Sequence, residues 1–444
     1  MMSMAQVSKT LQTLLTTTAD VAARQSGFIQ RQRTLSGSGF VQALVLGWLD
    51  NPQASIKQLA QRAAALGMAL SPQGLDGRFT SAAAQCLRQV LEAAVREVIQ
   101  GDPVRIPLLR RFPAVVVQDG STIPLPPALA QEWPGCGGST PAAGAAALKL
   151  QPRLDLVAGG LDCLELQAGR AQDQTAQSQT APLPVGALTR FDLGFFALDV
   201  LQARLAAGVH WLCRPKLQTA IFDSRGRRWS LGRLLAAKCG HRLDLPVTLG
   251  VHHRIPCRLV ALRLPPEIAA LRRGRLVEAA RREQRQPSVR QLDLTAWAVF
   301  VTSVPADQLS LWEALTLYRL RWQIELLFKL WKSHGEVDQS RSAKPWRVLC
   351  EVYAKLLAML VQHWLLVVSC WAFADKSLWQ AAQTVRAHAI CLLSAFRTRS
   401  RRRLQDELEL IATTIAAGCR MDARRTHPNA YQLLLALTED KEAA

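Results

Sequence analysis

The run Ala114-Val115-Val116-Val117 constrains this chain more than any other stretch. It is short, β-branched and bounded by turn residues, so it reads as a buried strand. It leads directly into Gln118-Asp119-Gly120-Ser121-Thr122. An aspartate that ends a central strand beside a glycine is a usual position for a metal-binding or catalytic carboxylate. Asp-Gly is also a common turn pair. Residues 134–147 are rich in Gly, Pro and Ala and read as a loop. Residues 148–157 and 161–166 alternate around Gly159-Gly160, which predicts an antiparallel hairpin. Residues 171–180 read as a helix. A short strand over 187–190 then meets Phe191-Asp192-Leu193-Gly194, followed by a helix over 195–207 and a strand over 210–214. Asp192 falls at a strand-to-helix junction, where it can cap the helix or belong to a site. One strand, a hairpin and then strand–helix–strand predict a mixed sheet layered with helices, an α/β fold.

What precedes and follows this core is different in character. The first 25 residues are polar, with no apolar signal core. Up to about residue 100 the chain reads as helices. Ser55 caps one that Gly67 ends, and Ser71-Pro72 starts the next, with Leu75, Phe79, Cys86, Leu87, Val90 and Leu91 on one face. Helix, turn, helix is compatible with a DNA reader and equally with an ordinary α-hairpin. Residues 217–296 hold short β segments (229–231, 247–251, 257–264) and an Arg-rich helical piece over 267–285. A buried strand follows over 297–304. Beyond Pro345 the chain is helical again, with arginines at 397, 399, 401, 402 and 403. The longest apolar run, 356–373, is broken by Gln362 and His363 and reads as a buried helix rather than a membrane span.

Charge narrows the partner. Lys and Arg outnumber Asp and Glu by 54 to 34 in 444 residues, a net charge of +20. An excess of that size favours a polyanion, nucleic acid before membrane. The ten cysteines are scattered without a Cys-x-x-Cys pair, and the eight histidines form no His-x-x-x-His pair. That argues against zinc and for a reducing cytosol.

The last informative stretch is an amphipathic helix expected over 311–332, with Leu320, Ile324, Leu327, Phe328 and Trp331 at helical spacing. At about 100° per residue, Tyr318, Arg321, Glu325 and Lys332 fall within an arc of roughly 60°. Alone, Arg321 and Glu325 read as a local ion pair. Taken with Asp119 and Asp192, Glu325 becomes the third carboxylate of a set that can hold two divalent ions, and Mg²⁺ suits such oxygen ligands.

These residues resemble a known family, the bacterial insertion-sequence transposases of the DDE type in the IS-four group. The likeness rests on Tyr318-x-x-Arg321-x-x-x-Glu325-x-x-x-x-x-x-Lys332, which fits that group's Tyr-Arg-Glu-Lys signature without gaps. It extends to Trp297-Ala298-Val299-Phe300-Val301-Thr302, Val117-Gln118-Asp119-Gly120 and Asp192-Leu193-Gly194-Phe195-Phe196. The resemblance implies a ribonuclease H-like catalytic domain over 108–216 and 297–340. A β-rich basic insertion would occupy 217–296, and helical domains 1–107 (helix-turn-helix-like, DNA-binding) and 341–444 would flank the whole. It implies that Asp119, Asp192 and Glu325 bind two Mg²⁺ ions, with Mn²⁺ able to substitute, and that Tyr318, Arg321 and Lys332 contact phosphates. Trp297 occupies the position from which hairpin-forming members stack a tryptophan on a flipped base; a core tryptophan is the other reading of it. Leu193 stands where the best-known member has an arginine. The expected activity is cut-and-paste transposition by a cytoplasmic homodimer acting on double-stranded DNA, at terminal inverted repeats and target sites. A non-catalytic, end-binding derivative of a transposase is the alternative. A glycoside hydrolase would also use paired carboxylates, but the charge of +20 argues against it.

Overall fold

The structure is a computed structural model that describes residues 4–31, 34–136, 144–237, 240–320 and 322–421, together with 432, 433 and 436. The chain begins with helices α1 (Met4–Thr13), α2 (Ala19–Gln25), α3 (Gly37–Asp50), α4 (Ile56–Ala65), α5 (Pro72–Asp76) and α6 (Ser81–Arg96). Strands β1 (Val115–Gln118), β2 (Ser121–Leu125), β3 (Ala146–Asp155), β4 (Leu161–Ala168) and β5 (Leu188–Phe191) follow. Next come α7 (Leu198–Ala206), β6 (His210–Cys213), β7 (Ile221–Phe222), β8 (Arg228–Trp229), α8 (Leu231–Ala237), β9 (Arg242–Leu249) and β10 (Ile255–Arg263). The chain continues through α9 (Pro266–Arg282), α10 (Val289–Asp293), β11 (Trp297–Thr302), α11 (Leu311–Arg319) and α12 (Trp322–Lys329). It closes with α13 (Pro345–Cys370), α14 (Leu378–Ala387), α15 (Ala389–Arg397) and α16 (Arg401–Ala417).

Two compact units emerge. One comprises the described residues of Met1–Arg105, Asp119–Gln172 and Gln323–Arg424, and so gathers helices from both ends of the chain around α13. That helix is long and apolar enough to cross a membrane, yet 89% of its apolar window is buried in the protein. It packs against α3, α6, α14 and α16. The hairpin β3–β4 and the edge strand β2 form an antiparallel ladder in the same unit. Its tight turn docks on the end of α13: His363 Nε2 lies 2.8 Å from the Gly159 carbonyl oxygen, and Trp371 Nε1 donates to Leu156 O at 3.2 Å. Gly159 has φ +75°, and a Cβ there would stand 2.6 Å from the Trp371 ring. Only glycine meets both demands.

The other unit is built chiefly from Ile106–Gln118 and Asp173–Trp322. Its sheet begins with three parallel strands, β1–β5–β6, and turns antiparallel through β11, β10, β9, β7 and β8. The stretch 217–296 is inserted between β6 and β11 in sequence, but its strands extend the same sheet: β10 pairs with β11 from Arg258 to Arg263. Phe195, Trp211, Leu259 and Val301 belong to the core cluster under this sheet.

Several expectations change. Residues 173–179 form two 3₁₀ turns, Asp173–Thr175 and Gln177–Gln179, because that Gln-rich stretch has no apolar period to bury. Strand β2 was hidden by Pro124, which an edge strand tolerates. The second N-terminal helix is two, α5 and α6, and Thr80 caps the latter through Ala83 N–H. Trp229 belongs to a strand, but Leu231 opens α8. The helix expected over 311–332 is also divided. The N–H of Leu320 closes α11 by turning back to Leu317 O at 3.0 Å, and α12 starts at Trp322. A π turn, Leu330–His334, completes it. Arg321, part of the loop expected over 134–147, and most of the C-terminal stretch beyond residue 421 lie outside the described residues.

Two buried histidines make stability pH-dependent. Burial holds His363 down at about 4, and burial with the neighbouring Arg386 does the same for His334. Both folded values lie below the ordinary 6.5, so the unfolded chain binds more protons in that window. Stability is therefore complete above about pH 6.5 and lost as pH falls toward 4. Urea midpoints measured from pH 7.5 to 4.5 should fall, and His363→Gln should flatten the fall. Gly159→Ala should cost about 1–3 kcal/mol by the same assay, through backbone strain and overpacking against Trp371.

Candidate functional site

Parallel pairing in the sheet unit sets the register near the aspartates. β1 and β5 align Val115 with Leu188 and Gln118 with Phe191. Asp119 and Asp192 are the residues that follow those last pairs. Asp119 is half-buried, and one oxygen of its carboxylate accepts the Gly120 N–H at 2.8 Å. Asp192 is half-buried too. It precedes a 3₁₀ turn, Leu193–Phe195, and makes no side-chain cap to it. The N-cap expectation for Asp192 is therefore not met.

Around Asp192 the sheet unit assembles an aromatic and cationic cluster. Tyr318, from the last turn of α11, donates its hydroxyl to Asp192 Oδ1 at 3.4 Å. Its ring packs on Phe300 of β11 at 4.2 Å between centroids. The Arg190 guanidinium lies over the same ring at 4.2 Å and that of Arg214 at 5.1 Å. Arg190 is 1% exposed and sits in β5, two residues before Asp192, and both residues meet Tyr318. The desolvated Arg190 contact is worth about 2 kcal/mol, and the exposed Arg214 contact about 0.5–1 kcal/mol. Arg214 follows β6 and is exposed. Arg272 of α9 donates to the Trp297 carbonyl oxygen at 2.8 Å. Burial, and then the nearby Arg214 charge, hold the Arg272 guanidinium below its usual value. Three guanidiniums thus lie in the neighbourhood of Tyr318 and Trp297; Arg190 is buried, while the accessible Arg214 and Arg272 are of the kind that bind phosphate oxygens.

Trp297 opens β11 half-buried, with its side chain against the core cluster. α11 is tied down by Glu313, which is 3% exposed, caps the helix through Ser310 N–H and pairs with Arg111 at 3.0 Å.

In the helical unit Glu325 is half-buried on α12. The π turn that follows closes through Gly335 N–H to Leu330 O at 2.9 Å, a bond one residue longer than a helical one. It carries Lys332, whose Nζ donates to Thr122 O at 3.1 Å, so the ammonium group rests on the strand that starts two residues after Asp119. A buried pair supports the loop beyond. Lys355 joins Glu351 at 2.8 Å and donates to Glu336 O and Gln339 O at 3.0 and 2.8 Å. Among the described residues, no group of three or more His, Cys, Asp or Glu side chains is gathered closely enough to hold a metal ion.

Arg190 and Arg214 were not singled out from the sequence, whereas Arg272 belongs to the Arg-rich piece expected over 267–285. The available signal was Arg190 itself, a charge inside a short apolar strand, two residues from an aspartate.

The family described as transposase DDE domain matches residues 110–361, more than half of the chain. The transposase for insertion sequence element IS231F of Bacillus thuringiensis subsp. israelensis is 26% identical over 362 residues, covering 76% of this chain and 75% of that protein. The transposase for IS1151 of Clostridium perfringens is 23% identical over 371 residues, covering 78% and 77%. Putative transposase InsL for IS186A of Escherichia coli (strain K12) is 34% identical over 149 residues, covering 30% and 40%.

The Tyr318 contacts predict a graded mutational response. Tyr318→Phe loses one long hydrogen bond and should cost about 0.5–1 kcal/mol. Tyr318→Ala removes the ring between Phe300 and two guanidiniums and should cost about 3–5 kcal/mol. Urea unfolding measures both, and equal losses would contradict the packing role.

Proposed function

The chain belongs to the DDE-domain transposase family, and from that premise we propose which of its residues perform the chemistry. It is a DNA transposase, an enzyme of DNA cleavage and strand transfer. Asp119, Asp192 and Glu325 are its catalytic carboxylates, in a ribonuclease H-like domain over 108–216 and 297–340. The observation that carries this assignment is the register of β1 and β5. Parallel neighbours aligned at Gln118 and Phe191 release both aspartates at the same strand ends. The family match spans all three carboxylates.

The donor set fits Mg²⁺, or Mn²⁺ in its place. All three are carboxylates, and each is half-buried, so waters and phosphate oxygens can complete the coordination. Two such ions, when bound, activate the attacking oxygen and neutralise charge at the leaving oxygen of an in-line displacement at phosphorus. The protein's part is to hold the carboxylates. Tyr318 orients Asp192, and Lys332 anchors the π turn beside β2. Tyr318, Arg321 and Lys332, joined by Arg214 and Arg272, bind phosphates near the cleaved end. Trp297 stacks on a flipped base if a hairpin forms. The helical stretches 1–107 and 341–444 and the basic insertion 217–296 contribute DNA contacts. The substrate is double-stranded DNA bearing terminal inverted repeats, joined by a homodimer to target DNA in the cytoplasm.

The test uses purified protein, end-bearing duplex and Mg²⁺. Wild type should nick the ends, and Glu325→Gln should lower the rate at least about 10³-fold while retaining end binding. End binding without cleavage by the wild type would favour the non-catalytic alternative. Cleavage retained in Glu325→Gln would remove Glu325 from the site.

A further inference from the structure

Residues 397–403 read Arg-Thr-Arg-Ser-Arg-Arg-Arg, five arginines and no acid in seven positions. They form the end of α15, a short turn and the first turn of α16, and all five arginines are exposed. Beside this turn lies a cavity of about 510 Å³ within the helical unit, whose lining includes Thr16, Arg24, Ser36 and Ser38 as well as Arg397 and Arg399.

The charges here are poorly compensated by the protein itself. The acid lining the cavity, Asp20, accepts the Ser38 N–H at 2.7 Å. Among the described residues, Arg24, Arg397, Arg399, Arg402 and Arg403 make no ion pair, while Arg401 donates to Ala5 O at 3.3 Å. Glu407 of α16 is taken by His388 at 2.7 Å, and Asp406 is the nearest acid in sequence. The arginines also sit at the electrostatically unfavourable end of α16. The first turn of a helix presents unsatisfied N–H groups and favours acids; this one carries three arginines and no acid. Side-by-side like charges on a positive helix end lower folding stability unless a polyanion meets them.

We infer that the α15–α16 turn and the cavity beside it form a phosphate-backbone contact for duplex DNA, one that holds the duplex without reading its sequence. The inference rests on the reading that this chain acts on DNA. Guanidinium forks on Arg397, Arg399 and Arg402 engage phosphate oxygens in pairs, and the Ser36–Ser38 hydroxyl pair, 3.2 Å apart, keeps one O–H free to donate between them. The site size suits a backbone segment crossing between the arginine turn and Arg24.

The experiment is fluorescence anisotropy on the full chain with two labelled duplexes, one bearing the element's end and one of random sequence, over a salt series. The Arg397→Ala, Arg399→Ala, Arg402→Ala triple variant should lower the slope of log K against log salt by about 2–3. Affinity for both duplexes should fall by the same factor, at least about tenfold at fixed salt. The corresponding triple lysine variant should keep the wild-type slope. An unchanged slope in the alanine variant overturns the inference and leaves the transposase reading intact. A loss confined to the end-bearing duplex also overturns it, because that is base reading. A wild-type chain that binds neither duplex removes both.

Discussion

The buried guanidinium of Arg190 sets the terms for the working side of the sheet. A charge in the middle of a parallel ladder is desolvated, and its surroundings must answer it. The face of Tyr318 does part of this, and Tyr318 is in turn held by Phe300 below and by Asp192 at its hydroxyl. One aromatic ring thereby links β5, β11 and α11. The capping box and ion pair of Glu313 keep α11 where that ring can serve. Asp192 is hydrogen-bonded by the same Tyr318 whose face meets Arg190, so the positions of both residues depend on one side chain.

The helical unit solves a different problem. α13 is apolar on nearly every side, which only a complete jacket of neighbours can satisfy. Helices from both ends of the chain provide it, with the turn of β3–β4 closing one end through Gly159, His363 and Trp371. The buried Glu351–Lys355 pair on α13 reaches the carbonyls of residues 336 and 339, and so steadies the loop that leaves the π turn of Lys332. A core helix and the loop after the π turn are connected by two charges that would be costly to separate.

Much of this was legible in one dimension. β1, the β3–β4 hairpin, β5, β6 and β11 follow from local period and turn residues, as do the capped starts at Ser55 and Ser71. Burial of the 356–373 region follows from its interruptions by Gln362 and His363, both of which are buried in α13. Asp119, Asp192 and Glu325 were visible as candidates because strand ends and a helix stripe have sequence signatures. β2 was not, since Pro124 disguises a strand that survives only at an edge. The 3₁₀ turns over 173–179 were not either. Their stability comes from distant partners, the Gln118 side chain on Ser178 and Gln179 on Phe195 O.

The sequence by itself determined the α/β class, the strand-end aspartates and the basic character, because hydrophobic period, turn chemistry and net charge are properties of neighbouring residues. Tertiary structure alone decided that the insertion continues the sheet, that the helix over 311–332 is divided, and that Arg190, Arg214 and Phe300 converge on Tyr318. These depend on strand pairing and side-chain packing between residues far apart in the chain. Such pairings arise only when the whole core closes, and no local pattern encodes them.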